Sequence, residues 1–145
     1  MKKIVMALAI IATIGIVLFI IRPVSFEKNL LEGNMVLISY TNNYIENGYP
    51  NTEYKNYSFT IEDTEYQKVK EILERYSYHT CFKTLIGGTV KNFGNSFLLI
   101  FENEYISISN VPDIFVGGRV YHVGYWGDSK INKLYNELFT LLKPI

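Results

Sequence analysis

Residues 97–109 read Phe-Leu-Leu-Ile-Phe-Glu-Asn-Glu-Tyr-Ile-Ser-Ile-Ser. A continuous apolar run, 97–101, meets a polar break at Glu102-Asn103-Glu104, after which Ile106 and Ile108 alternate with Ser107 and Ser109. A run that is apolar on both sides suits a strand inside a sheet, and period-two alternation suits a strand with one buried and one wet face. Two such arms joined by three polar residues make a hairpin, so the sheet is antiparallel here.

Working outward, Pro112 and Gly117-Gly118 are punctuation, and residues 120–125 form a further strand. A closing helix follows, capped by Asp128 or Ser129, with Ile131, Leu134, Tyr135, Leu138, Leu141 and Leu142 at helical spacing and Pro144 as its stop. Upstream, residues 80–86 read as a strand ending at Gly87-Gly88. Residues 64–77 place Tyr66, Val69, Ile72, Leu73 and Tyr76 on one helix face, with Thr60 or Asp63 as the cap. On the opposite face Lys70–Glu74 and Glu71–Arg75 stand four apart and can pair weakly. Short β-prone runs at 35–40 and 57–61 complete the order β-β-α-β-β-β-β-α. That order predicts an α+β fold of two layers, an antiparallel sheet covered on one face by two helices.

Between those first two runs, residues 40–57 hold five tyrosines and five asparagines in eighteen positions. Asn47-Gly48 and Pro50-Asn51 are turn chemistry, so this segment is expected to be a loop or hairpin end.

The amino terminus is of another kind. After Met1-Lys2-Lys3, residues 4–21 carry no charge, and only Thr13 and Gly15 interrupt their apolar character. As a helix they would span roughly 27 Å at about 1.5 Å per residue, near the hydrocarbon thickness of a bilayer. The leading expectation is an uncleaved signal anchor over residues 1–22, then a short linker, 23–34, and an α+β domain, 35–145. A cleaved signal and a buried soluble helix are the alternatives. Lys2 and Lys3 precede the span while Arg22 and Lys28 follow it. That small bias favours the amino terminus inside and a single-pass protein with its bulk outside the cytoplasm.

The 145-residue chain has fourteen basic and fourteen acidic residues, and setting aside Lys2, Lys3 and Arg22 leaves the rest mildly acidic. Nucleic acid and other polyanions are therefore disfavoured partners. The single cysteine, Cys81, cannot form an internal disulfide and is expected to pack as a small hydrophobe. His79 and Cys81 would share one side of a strand, with His122 as the next soft ligand, but packing is the favoured reading over metal. Glu102 and Glu104 flank a turn, Asp113 and Asp128 fall in expected loops, and no phosphate-loop or nucleophile-elbow pattern is present. No catalytic constellation and no cofactor site is legible, so the chain is read as a non-enzyme.

The candidate contact residues are aromatic. Tyr44, Tyr49 and Tyr54 lie in the tyrosine-rich segment; Phe115, Tyr125 and Trp126 lie in the glycine-punctuated stretch before the last helix. Flat rings with a polar handle serve sugar or peptide surfaces, and they equally serve cores.

The layout of residues 57–143 resembles small uncharacterised domains of Gram-positive bacteria anchored by a signal sequence or lipid. Ile61-Glu62-Asp63 ahead of the first soluble helix, the strands at 105–109 and 120–123, and the helix at 128–142 carry the likeness. It implies an extracytoplasmic position and no particular site. A lipid-attachment cysteine after the apolar run is missing, since the only cysteine is at 81. The functional expectation is a membrane-anchored accessory or binding module for an envelope protein or wall ligand. An envelope inhibitor or immunity protein against an exported toxin or hydrolase is the alternative.

Overall fold

The computed structural model describes residues 2–24, 33–87, 94–102, 104–109, 111, 113–125 and 129–144. Helix α1, Lys2–Ile21, is the apolar segment, and none of its Lys2–Phe19 window is buried. The buried-helix alternative is thereby excluded, because the folded domain offers this helix no cover. Arg22 alone separates α1 from β1, Pro23–Val24. The expected linker thus begins with two residues paired in the sheet, opposite His79 and Tyr78.

Strands β2, Met35–Glu46, and β3, Tyr49–Thr60, follow, then α2, Thr64–Glu74, and β4, Tyr78–Thr80. A five-residue helix α3, Phe82–Ile86, precedes β5, Ser96–Ile100, β6, Tyr105–Ser109, β7, Asp113–Val116, and β8, Arg119–Val123. Helix α4, Ser129–Leu142, closes the described chain. The fold is α+β, and the eight strands form one sheet in the order β1-β4-β8-β7-β6-β5-β2-β3, with every pairing antiparallel.

The hairpin read from residues 97–109 is present as β5 and β6, with Phe97 opposite Ile108 and Leu99 opposite Ile106. Register sorts the side chains by face. Val36, Ile38 and Tyr40 of β2 line up with Phe97 and Leu99 of β5, Ile106 and Ile108 of β6, and Ile114 and Val116 of β7. All are buried in one cluster with Tyr66, Val69, Ile72 and Leu73 of α2 and Ile131, Leu134, Leu138 and Leu142 of α4. Phe97 packs against Tyr40 and Tyr135 with ring centroids 4.8 and 5.3 Å away.

Of the two readings of residues 40–57, the hairpin end is present and the loop is not: β2 and β3 pair continuously from Met35–Thr60 to Glu46–Tyr49 around Asn47-Gly48. Both turn residues have positive φ, 52° and 83°, which is the two-residue turn whose twist matches paired strands. Residues 80–86 are not one strand, since β4 stops at Thr80 and α3 begins at Phe82. There the Cys81 amide donates to Thr84 Oγ1, and Gly87 ends the helix in the left-handed conformation. The expected loop around Asp113 is strand β7.

Helix boundaries shifted less. Helix α2 stops at Glu74, short of 77. Asp63 is its N-cap residue, but its carboxylate accepts from the Thr60 amide and hydroxyl. Lys70 pairs with Glu74 as expected, whereas Arg75 reaches Glu137 of α4 at 2.9 Å. Asp128 lies outside the described residues.

Gly117 and Gly118 close β7 onto β8 with φ of 52° and 80°. A Cβ on Gly117 would meet the Glu104 carboxylate, whereas one on Gly118 meets open space. Because that carboxylate ends a flexible side chain and can swing aside, left-handed backbone strain dominates at both positions, and Gly117→Ala and Gly118→Ala are each expected to cost about 1–3 kcal/mol, read from paired thermal melts. A loss confined to Gly117→Ala would show that the Glu104 carboxylate is held in place and that the clash governs the turn.

Candidate functional site

Among the described residues, Leu37–Thr41 is the stretch of β2 that pairs with β5, and the hairpin beyond Thr41 continues past it as a two-stranded ribbon. At its base the Asn43 amide donates to Asn95 Oδ1 at 2.9 Å, and Asn43 Nδ2 donates to the Gly94 carbonyl at 2.7 Å. Cross-strand polar contacts stiffen it further, with Thr52 Oγ1 donating to Asn43 Oδ1 and Asn51 Nδ2 to Glu46 Oε2. Toward the tip the ribbon displays Ile45 and Tyr49, which are 78% and 74% exposed, and Tyr54, 69% exposed, stands at its root opposite Thr41.

The register divides the expected tyrosines between two faces. Tyr44 stands opposite Asn51, and Tyr49 opposite Glu46, on the face that continues the core side; Tyr54, opposite Thr41, is on the other. Tyr44 donates to Glu53 Oε1 at 3.2 Å, and burial together with that acceptor pushes its phenol pKa up. Tyr44 and Tyr49 therefore form one pair, and Tyr54 joins Ile45 on the reverse.

Phe115 and Tyr125 are elsewhere. Phe115, in β7, contacts the Tyr105 ring at 5.8 Å on the sheet face opposite the core. Tyr125, just past β8, packs on the buried His79 ring at 4.2 Å. Strand β8 is four strand spacings from β2, roughly 19 Å at about 4.8 Å each, so these aromatics do not share the ribbon's surface. Trp126 lies outside the described residues.

A polar cluster that sequence spacing did not reveal sits on this second face. Asp113, 7% exposed, accepts from Lys83 Nζ of α3 through Oδ2 at 2.5 Å and faces His122 Nδ1 of β8 through Oδ1 at 3.2 Å. The hydrogen bond from Lys83 to Asp113 is the main reason the lysine pKa is raised. Thr84 Oγ1 donates to the Val120 carbonyl, and the half-buried Cys81 thiol lies 3.4 Å from Thr84 Oγ1. These contacts bind α3 onto β7 and β8. His79 and His122 are adjacent across the β4–β8 ladder. Among the described residues no group of three or more His, Cys, Asp or Glu side chains is placed to hold a metal ion. The signal for the cluster was the alternation of Asp113 with Ile114 and of His122 with Val123, legible only once both segments are known to be paired strands.

An open cleft of about 840 Å³ runs between α2 and α4, lined by Lys68, Glu71, Arg75, Lys133 and Glu137 over Ile72. Its charges are largely matched, with Arg75 and Tyr76 both bonded to Glu137. Burial and the Glu137 carboxylate push the Tyr76 phenol up to about 12, and burial raises Tyr78 and Tyr135 as well. A raised phenol favours the folded state below the ordinary tyrosine range, about pH 10, and that contribution is lost as pH climbs through the folded value. Alkaline titration followed by near-ultraviolet absorbance is therefore expected to show a late tyrosine phase above pH 10 coinciding with loss of tertiary structure. A single early phase ending before unfolding would contradict the buried placements of these rings.

No protein-family model, curated protein or solved structure matches the chain.

Proposed function

We propose that this chain is a non-catalytic binding module, held at the cell membrane by α1 with its bulk outside the cytoplasm, which captures an envelope protein or wall ligand on the β2–β3 ribbon. One observation carries the reading: a stiff ribbon extends past its sheet and presents Ile45 and Tyr49 to solvent, with Tyr54 exposed at its root. A two-stranded ribbon is marginal by itself, and large apolar side chains without cover at its tip are the ordinary anatomy of a contact surface. The second support is α1, apolar, unburied and long enough to cross a bilayer.

In this reading α2 and α4 form one layer over one face of the sheet and leave the ribbon available, while α3 is bound to β7 and β8 on the opposite face. The ribbon lies on the β3 edge and α1 enters on the β1 edge, seven strand spacings or roughly 34 Å away along the sheet. The resemblance to small anchored domains of Gram-positive bacteria belongs to the same proposal.

The test is capture from an envelope extract by the full chain in nanodiscs. Tyr44→Ala/Tyr49→Ala is expected to lower retention at least about tenfold, equivalent to about 1.4 kcal/mol, with unchanged circular dichroism. Unchanged retention would remove the ribbon as the contact. Capture of a hydrolase together with loss of its activity would move the assignment to an envelope inhibitor.

A further inference from the structure

Helix α3 carries two neighbouring aliphatic side chains, Leu85 and Ile86, that are 56% and 63% exposed. The β-ladder fixes where that helix sits relative to α1. Pro23 pairs with His79 and Val24 with Tyr78 in antiparallel sense, so β4 runs back toward the end of α1 as β1 runs away from it. One step further along that register, Thr80 stands opposite Arg22. Its Oγ1 accordingly donates to the Phe19 carbonyl at 3.3 Å, within the last turn of α1.

Cys81 continues in the same direction with extended backbone, φ −129° and ψ 175°, and α3 starts at the next residue. The helix ends at Gly87 in the left-handed conformation, φ 68°. Meanwhile Lys83 and Thr84 are tied to Asp113 and to the Val120 carbonyl, which fixes one side of the helix on the sheet and leaves Leu85 and Ile86 directed away from those contacts.

We propose that α3 seats Leu85 and Ile86 in the headgroup–acyl boundary of the bilayer, as a second lipid contact beside the α1 span. The inference rests on the anchored reading of α1. If Phe19 belongs to the membrane-spanning helix, the residue bonded to its carbonyl lies at the depth of that helix's end. The interfacial layer is roughly 5–7 Å thick on each side, and a five-residue helix is about 7.5 Å long, so the aliphatic pair is within its reach. Short amphipathic segments bind there by burying their apolar side while their polar side stays wet, and α3 has that division. Arg22, exposed at the end of α1, would lie among the phosphates.

The experiment uses the full chain in nanodiscs of phosphatidylcholine and phosphatidylglycerol, with one reporter tryptophan at a time in a Trp126→Phe background. Ile86→Trp and, independently, Leu85→Trp are expected to be quenched by brominated lipid about threefold more than Ile45→Trp at the ribbon tip, with blue-shifted emission. Leu8→Trp, inside the span, checks the anchor separately. Quenching at Leu8→Trp without quenching at either α3 position overturns this inference and leaves the anchor standing. Absence of quenching at all of them overturns both. Blue-shifted α3 emission that brominated lipid leaves unchanged assigns the pair to a protein contact and also overturns the inference.

Discussion

Phe97→Ala is expected to destabilise the domain by about 3–5 kcal/mol, a large fraction of the roughly 5–15 kcal/mol available to a domain of this size. The side chain is fully buried and sits between the Tyr40 and Tyr135 rings, with Ile108 opposite it on β6. Removing it deletes the ring's transfer free energy and leaves a void that strands on both sides cannot close without breaking register. Phe97→Leu retains most of the volume and is expected to cost about 1.5 kcal/mol or less. Denaturant titration of both variants gives the comparison. A loss below about 1 kcal/mol for the alanine variant would mean that Phe97 is not packed in this core as described.

Replacing Ile11 and Ile14 by arginine is expected to abolish membrane association. Each charge at the centre of a spanning helix opposes insertion by about 2.5–3.5 kcal/mol, so two of them oppose it by about 5–7 kcal/mol. Both isoleucines are exposed on α1, and the domain gives the helix no alternative cover. Resistance of the parent chain to alkaline extraction from membranes, with release of the double variant, is the expected outcome. Equal extraction of both would dismiss α1 as an anchor and favour a signal sequence.

How far the fold could be read from the sequence depended on whether a segment advertises its own periodicity. The β5–β6 hairpin, α2 and α4 did so, because their buried positions recur at two or at about 3.6 residues and those positions are strongly apolar. The β2–β3 ribbon did not. Its outer half alternates tyrosine, asparagine, threonine and glutamate, with no apolar stripe, and is held by backbone pairing and by the Asn47-Gly48 turn. For residues 80–86 the β-prone composition lost to local capping, since Cys81 with Thr84 opens α3 and Gly87 closes it.

The candidate sites divide along the same line. Tyrosines could be named from composition, but which of them share a surface depended on register: one step along a strand reverses the face, so Tyr44 and Tyr49 lie on one face and Tyr54 on the other. The Lys83–Asp113–His122 cluster joins a helix and two strands, and nothing local in any of the three segments announces the others.

By itself, the sequence determined an apolar α1, an α+β domain, an antiparallel hairpin at residues 97–109 and an amphipathic closing helix, because each is decided by side chains within a few turns or one hairpin. Only the tertiary structure decided the order of the eight described strands, the protruding ribbon and the placement of β4 against the end of α1. Those depend on which distant strands pair and in what register, and hydrogen bonds between backbones leave no trace in the residue pattern.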